Sequence, residues 1–588
     1  MPAIQRFVDS ADGVRIAAYE EGNPDGPTVV LVHGWPDSHV LWDGVVPMLA
    51  QRFRVVRYDN RGVGLSGSPK KVSSYTMAHF ADDFAAVTSQ LSPGAPVHVL
   101  AHDWGSVGIW EYLKRPGAGD RVASFTSVSG PSHEQLVEYI FSGLRQPWRP
   151  RRFARSISQA LRLTYMLFFS IPVLAPLLIR AAFSVRALRR MVVDNIPAEQ
   201  IHHSPNMAAD AASSVKTYPA NYFRSFSVRG QPIHVVDVPV QLIVNTRDQY
   251  VRPYGYDETG RWVPRLWRRD IRAGHFSPMS HPQVMAAAVH DLADLTDGMA
   301  PSRALLRAQV GRPRGAFGDT LVSVTGAGSG IGRATAYAFA AEGAELVVSD
   351  IDEAAVKETA AAIAARGGVA HAYVVDVSDT DAVEAFAERV CAAHGVPDVV
   401  VNNAGIGQAG QFLDTPAEQF DRVLDVNLGG VVNGSRAFGR RLVERGTGGH
   451  IVNVSSMAAY APLQSLNAYC TSKAATYMFS DCLRAELDAA NVGLTTICPG
   501  LIDTNIINTT RFDAAAGKHD EHVDGRRGQL SKMFAMRRYG PEKVADAILS
   551  SVRKNKPIRP VAPEAYALYG VSRLLPQALR STARFRVI

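Results

Sequence analysis

Residues 97–100 form an apolar run, and the chain then reads Ala101-His102-Asp103-Trp104-Gly105. This pattern makes a sharp strand-to-helix turn that lifts one side chain above a sheet, and here that side chain is a carboxylate. A serine attacking a saturated carbon would leave an ether, which water does not readily cleave. An aspartate leaves an ester, which water breaks at the carbonyl. Asp103 therefore directs the expected chemistry toward epoxides or alkyl halides. Downstream, run 240–244 leads to Asn245-Thr246-Arg247-Asp248, and segment 266–272 leads to Ala273-Gly274-His275-Phe276. Nucleophile, acid and histidine thus occur in the order Asp103, Asp248, His275. His275 would deprotonate water, and Asp248 would hold the imidazole tautomer and stabilise its cation. The backbone amides of Trp35, in His33-Gly34-Trp35-Pro36, and of Trp104 are placed to form an oxyanion hole. His33 and His102 are read as orienting groups.

A second set of residues lies in the other half of the chain. Strand 320–324 runs into Thr325-Gly326-Ala327-Gly328-Ser329-Gly330-Ile331-Gly332. Glycines there let a backbone approach a pyrophosphate, and the following helix start supplies N–H groups. The next strand ends at Asp350, eighteen residues after Gly332. An acid at that place binds ribose hydroxyls and repels a 2′-phosphate, and neither Ser329 nor Ile351 is basic, so NAD is favoured over NADP. Asp376-Val377, Asn402-Asn403-Ala404-Gly405, Asn427, Ser455-Ser456, and Pro499-Gly500-Leu501-Ile502-Asp503-Thr504 follow. Tyr469 and Lys473 stand one helical turn apart on one face. A phenol near pKa 10 becomes a useful base at neutral pH only if a nearby cation stabilises its anion.

These residues need rigid scaffolds. Short apolar strands alternate with helical stretches along the chain, which predicts parallel sheets wrapped by helices, and the pattern restarts once. A first series spans residues 28–296 and a second starts at Thr320. The expected organisation is a first domain over 1–298, a linker over 299–316 and a second domain over 317–588. At 588 residues the chain is too long for one core. Residues 132–235 lack the strand rhythm and read as a helical cap inserted in the first domain. Ten arginines lie between Arg145 and Arg190, and no Asp or Glu occurs from Tyr139 to Val193. That face is read as solvated surface, with contact to anionic membrane as the sharper alternative. With 46% hydrophobic and 20% charged residues the chain is an ordinary globular one, and a net charge of +7 does not point to nucleic acid. The four cysteines show no disulfide framework and no metal-ligand spacing, and no metal is expected. Residues 1–10 have no apolar core, so a cytoplasmic location is expected.

The first set of residues resembles the epoxide hydrolase branch of the α/β-hydrolase fold. In that family two cap tyrosines donate to the epoxide oxygen. Tyr165 matches the first. The second family motif, Asn-aromatic-Tyr-Arg, resembles Asn221-Tyr222-Phe223-Arg224, with phenylalanine where the tyrosine stands. Tyr222 is taken as the substitute, with Tyr218 as the alternative. The second set resembles the short-chain dehydrogenase/reductases over about residues 317–560. The resemblance implies Tyr469 as acid/base, Lys473 as the residue that lowers its pKa and binds the nicotinamide ribose, Ser456 on the substrate oxygen, and Asn427 on a relay water. It also implies cofactor contacts from the glycine-rich loop, Asp350, Asp376, Val377, Asn403, Ala404, Gly405, Pro499, Gly500, Ile502 and Thr504, and a dimer or tetramer through this domain. Two rival readings of the first domain stay open, a haloalkane dehalogenase and a catalytically silent membrane-docking module. Trp104 would help hold a halide, but Trp35 stands where dehalogenases carry Asn.

Overall fold

The computed structural model describes residues 3–192, 194, 196–222, 224, 232–504, 510–512 and 539–582. The chain divides into two compact units, Met1–Arg312 and Pro313–Ile588.

The first unit is built on an eight-stranded sheet of β1 (Ile4–Asp9), β2 (Arg15–Gly22), β3 (Thr28–Val32), β4 (Arg54–Tyr58), β5 (Val97–His102), β6 (Val122–Val128), β7 (Val240–Asn245) and β8 (Leu266–Ile271). Their spatial order is β1-β2-β4-β3-β5-β6-β7-β8. β2 is antiparallel to both its neighbours, and the strands from β3 to β8 run parallel. β3, β5 and β7 are buried along their whole length. Their aliphatic runs follow from this, because helices cover both faces of a parallel sheet. The sheet starts earlier than the strand rhythm of the sequence. β1 is an edge strand with all but one residue exposed, and Gln5, Arg6 and Asp9 break up its apolar residues so that no aliphatic run like that of a central strand marks it.

Between β6 and β7 the chain leaves the sheet as a succession of helices, among them Pro150–Arg162, Tyr165–Phe169, Leu174–Ala182, Val185–Met191, Met207–Ser214 and Thr217–Tyr222. Met166, Ile179, Ala211 and Tyr218 from these helices join Trp35 and Trp104 in one apolar cluster. That cluster fixes the cap over the carboxyl ends of β3 and β5.

The stretch 299–316, expected as linker, is partly helical. Ser302 caps helix Arg303–Ala308 by accepting the Leu305 N–H. Leu305 and Ala308 bury against Trp267 and Leu292, and the Val310 N–H donates to Leu266 O beside β8. A short apolar pair within a polar context makes this helix, and that signal is too local for the strand rhythm to reveal.

The second unit holds β9 (Leu321–Thr325), β10 (Glu345–Asp350), β11 (Val369–Val374), β12 (Val399–Asn402), β14 (Gly449–Val454), β15 (Val492–Pro499) and β17 (Ile558–Val561) in one parallel sheet, with β13 (Gln408–Ala409) and β16 (Arg511–Phe512) in a separate ladder. The order β11-β10-β9-β12-β14-β15-β17 reverses direction between β9 and β12. That reversal opens a crevice at the carboxyl ends of the strands, the usual place for a nucleotide.

One buried ion pair supports the first site from below. Arg61, in the turn after β4, is fully buried. Its guanidinium donates to both oxygens of Asp83 (2.7 and 2.6 Å), and also to Asp12 and to Ser74 O. The adjacent Asn60 N–H donates to His33 Nε2 at 2.9 Å, which orients the segment carrying Trp35. Removing one partner strands a charge in low dielectric. Asp83→Ala is expected to cost the first unit about 3–5 kcal/mol. All seven tryptophans lie in this unit, so tryptophan fluorescence during urea unfolding reports the loss there alone.

Candidate active sites

Asp103 opens helix Asp103–Tyr112 directly after β5 and adopts φ 48°. A non-glycine residue held in this region is strained, which the surrounding packing must impose. Gly34 is part of that packing, since a Cβ there would lie 2.5 Å from the Asp103 Cβ. The Trp35 N–H donates to Asp103 Oδ2 at 3.0 Å, and the Trp104 N–H donates to the same carboxylate. The other oxygen, Oδ1, lies 3.6 Å from His275 Nε2. His275 Nδ1 lies 2.9 Å from Asp248 Oδ2, and Asp248 Oδ1 accepts the N–H groups of Tyr250 and Val251. The structure thus brings together all five residues that the sequence nominates here, Asp103, Asp248, His275, Trp35 and Trp104.

Their electrostatics form one system. Burial disfavours the His275 cation, but Asp248 and then Asp103 outweigh it and push the imidazole up to about 9. Burial raises Asp103, while His275 and the two tryptophan amides oppose that rise. For Asp248, burial is outweighed by His275 and by the backbone donors, which hold it below the usual carboxylate range. At neutral pH His275 therefore rests as an imidazolium beside the Asp248 carboxylate. Burial, then the negative Asp103, push Asp37 up to about 8, so this carboxyl stays neutral and adds no third charge. His33 and His102 are driven down by burial, to about 4 and about 3. They serve as neutral struts: His102 Nε2 lies 2.9 Å from His275 O, and His33 Nδ1 lies 2.8 Å from Gly34 O.

A cavity of about 410 Å³ adjoins Asp103 and His275, with Phe169, Ile179, Phe183 and Met191 on its cap side. Tyr165 and Tyr218 line it, and Tyr222 does not. The reason is position along the helix, not its phase. Tyr222 sits one turn beyond Tyr218 on helix Thr217–Tyr222 and packs as a half-buried side chain at the margin of the cap cluster. Phe223 lies outside the described residues. Asn221 holds the helix in place: its amide oxygen accepts the Met77 N–H, and its Nδ2 donates to Tyr75 O. Tyr165 and Tyr218 are hydrogen-bonded to each other, and the Trp104 indole is hydrogen-bonded to the Tyr218 hydroxyl. Burial and the Asp103 charge raise both phenols well above 10.

Three further residues belong to this site. Tyr250 packs edge-on against His275 (4.8 Å between ring centroids) and lines the cavity, and its place two residues after Asp248 was the available signal. Arg190 lines the cavity from the cap. Asp194, also from the cap, accepts the Gly274 N–H at 2.9 Å and the Ser280 hydroxyl at 2.8 Å, bracing the loop that carries His275. No sequence pattern marks Asp194.

In the second unit the glycine-rich loop joins β9 to helix Gly330–Ala341. A Cβ at Gly332 would lie 2.1 Å from Gly326 O, so the turn closes only over glycine. Gly326 and Gly330 take φ of 64° and 51°. Asp350, at the end of β10, accepts the Gly328 N–H at 2.8 Å and so faces the loop. Thr325 Oγ1 accepts the N–H groups of Asn403 and Ala404, and the Asn403 amide donates to Thr325 O and Gly326 O. Asp376 accepts from Ser378 and lies 3.4 Å from Arg422, while Asn433 donates to Val377 O. Thr504 lies against Gly330, next to Ser329 and Ile331 at the helix start. Pro499 ends β15, the Gly500 N–H donates to Val561 O, and Ile502 is buried.

The candidate catalytic residues of this unit converge in one place. Tyr469 and Ser456 are hydrogen-bonded through their side chains. Asn427, in a π-helical turn, exchanges hydrogen bonds with the Ile406 backbone and donates to Ser472 Oγ. A Cβ at Gly405 would meet Asn427 Oδ1 at 3.0 Å and Lys473 Nζ at 3.4 Å. Lys473 Nζ lies 5.9 Å from the Tyr469 ring centroid and donates to Val454 O. Burial raises Tyr469, and the opposing effect comes from Ser456. Burial likewise lowers Lys473 to about 8.

The two sites and their scaffolds define an enzyme that joins a hydrolase fold to a nicotinamide-dependent oxidoreductase fold. Residues 27–282 match the family described as alpha/beta hydrolase fold, and residues 320–514 match short chain dehydrogenase. The chain belongs to a family in which both domains lie on one polypeptide: it is 79% identical, over 593 aligned residues and 100% of both chains, to the "Probable oxidoreductase EphD" of Mycobacterium tuberculosis (strain ATCC 25618 / H37Rv) and to that of Mycobacterium bovis. The "C alpha-dehydrogenase" of Sphingobium sp. is 31% identical over 242 residues, 41% of this chain and 79% of that one. Among solved structures, a short chain dehydrogenase/reductase from Burkholderia phymatum in complex with NAD matches with a TM-score of 0.42 at 28% identity, over 45% of this chain and 96% of that one.

The charge coupling in the first site is directly measurable. Asp103 favours the His275 cation, so Asp103→Asn is expected to lower the imidazole pKa from its raised value. Histidine-labelled NMR titrations of the wild-type and variant chains measure the shift, and an unchanged His275 titration contradicts the coupling.

Proposed function

We propose that the chain is bifunctional: the first unit hydrolyses a hydrophobic epoxide through an ester on Asp103, and the second oxidises a secondary alcohol, or reduces the ketone, with NAD(H). The observation that carries the first half is the Asp103 carboxylate, held by the amides of Trp35 and Trp104 with Oδ1 toward His275, beside a cavity lined by two phenols. Asp103 Oδ1 attacks an epoxide carbon, the carbon–oxygen bond breaks, and the departing oxygen takes a proton from Tyr165 or Tyr218. Their raised pKa keeps both phenols protonated and ready to donate. Ester formation removes the Asp103 charge, which weakens the hold on the His275 proton. That proton restores the phenol through solvent and leaves a neutral imidazole. His275 then takes a proton from water, and hydroxide adds to Asp103 Cγ. The charge that develops on Oδ2 falls to the amides of Trp35 and Trp104. Collapse breaks the ester, and the leaving alkoxide takes the proton from His275. The product is a vicinal diol.

The dehalogenase alternative has less support. The Trp35 indole N–H donates to Ala211 O, and the Trp104 indole is engaged with Tyr218, so neither is directed to a halide.

For the second half, the residues fit a dinucleotide. The loop from Gly326 to Gly332 supplies close backbone, Asp350 faces the adenosine ribose position, Asp376 and Val377 border the adenine side, and Thr504 overhangs the helix start. A nicotinamide cofactor held by these residues would supply the acceptor for the carbinol hydride. Tyr469 takes the hydroxyl proton, Ser456 donates to the substrate oxygen, and Lys473 with Asn427 keeps the base near solvent protons. Asp350 supports NAD over NADP, since a 2′-phosphate would meet a carboxylate. The diol from the first reaction carries the class of alcohol that the second oxidises.

Intact mass of a His275→Ala chain given candidate epoxides is expected to show a covalent adduct equal to the epoxide mass, absent once Asp103 is also changed to Ala. An adduct that survives loss of Asp103 contradicts the ester mechanism. Tyr218→Phe is expected to lower kcat on the epoxide by about 10²-fold, with Tyr222→Phe close to wild type. In the other unit Tyr469→Phe is expected to lower NADH formation from secondary alcohols about 10³-fold. Asp350→Ala is expected to raise the KM for NAD and shift the kcat/KM ratio toward NADP. A ratio that does not move removes Asp350 from cofactor choice.

A further inference from the structure

The cap carries an apolar face that its own packing leaves uncovered. Helix Leu174–Ala182 turns Ala175 and Ile179 inward, where both are buried, Ile179 within the cap cluster. Its other side presents Leu174, Leu177 and Leu178 to solvent, with Leu177 60% exposed. A surface helix ordinarily carries polar residues there. The preceding turn and helix Tyr165–Phe169 continue the face through Leu167, Phe168 and Val173, the last 71% exposed. Large aliphatic side chains exposed this densely mark a binding surface. The same helices supply Tyr165, Phe169 and Ile179 to the cavity wall, so one side of this layer faces substrate and the other faces out.

The charge around this face selects its occupant. Ten arginines lie between Arg145 and Arg190, with no acid from Tyr139 to Val193. Arg151, Arg162, Arg180, Arg186 and Arg189 are exposed. A symmetric pairing of two copies through this face would set arginine against arginine. An anionic lipid surface complements both features, taking the apolar side chains into its acyl boundary and the guanidinium groups at its headgroups. Among the described residues no single helix is long and apolar enough to cross a membrane. Helices Pro150–Phe169 and Leu174–Ala182 pass that test only as a pair bent by 92°. Their inner faces are already committed to the cap, so the mode is lying on the surface.

We propose that the outer face of Leu167 to Leu178, with its arginine rim, docks the first unit on anionic lipid and draws lipophilic substrate from it into the cavity. Docking stands on this surface and not on the epoxide chemistry, and Asp103→Asn is expected to bind vesicles like the wild type.

The test is co-sedimentation of the full chain with vesicles of phosphatidylglycerol and phosphatidylcholine, against phosphatidylcholine alone, at low and high salt. Binding is expected to need phosphatidylglycerol and to fall steeply with salt. The double change Leu177→Ser with Leu178→Ser, and separately Arg180→Gln with Arg186→Gln, are each expected to weaken it about tenfold or more. Tryptophan fluorescence melts that match the wild type establish that the variants fold. A chain that stays in the supernatant, or binding that neither variant weakens, overturns the proposal. So does a wild-type oligomer in sedimentation velocity that the leucine variant dissolves, since a second copy then covers the face.

Discussion

Everything in the first unit turns on what surrounds one buried carboxylate. Burial works against the charge on Asp103, and the protein answers with two backbone N–H groups and an imidazolium. The amides come from residues that follow two different strands, β3 and β5, so the sheet register sets their convergence. The imidazolium in turn depends on Asp248, which the backbone donors of Tyr250 and Val251 keep ionised. The arrangement is self-limiting. Neutralising Asp103 would remove one of the charges that raise the His275 imidazole and so loosen the hold on its proton.

The two units solve a similar proton problem by different means. In the first, burial and then nearby charge hold the aromatic hydroxyls protonated. In the second, Tyr469 and Lys473 are both buried, and burial alone moves one up and the other down. Ser456 provides the counterweight that is already in place. The ammonium of Lys473 is meanwhile occupied by the Val454 carbonyl and lies close to Gly405.

Much of this was legible in the chain because the informative groups sit at strand ends. Asp103, Asp248, His275, Asp350 and Tyr469 each follow or flank a local pattern whose geometry is nearly independent of the rest of the fold. Less legible were features decided by position along a short helix or by distant packing. Tyr218 reaches the cavity in place of Tyr222 because Tyr222 stands one turn farther along Thr217–Tyr222, and residue spacing does not reveal which turn meets the cavity. Asp194 acts on a loop eighty positions later in the chain. β1 escaped because an edge strand needs no aliphatic run, and helix Arg303–Ala308 because two apolar residues suffice to seat it.

Asp194 also ties access to reactivity. Its carboxylate spans the Gly274 amide and the Ser280 hydroxyl, so the roof over the cavity and the hinge of the imidazole are mechanically one piece. A motion that lifts this part of the roof to admit a bulky guest must slacken the base as well.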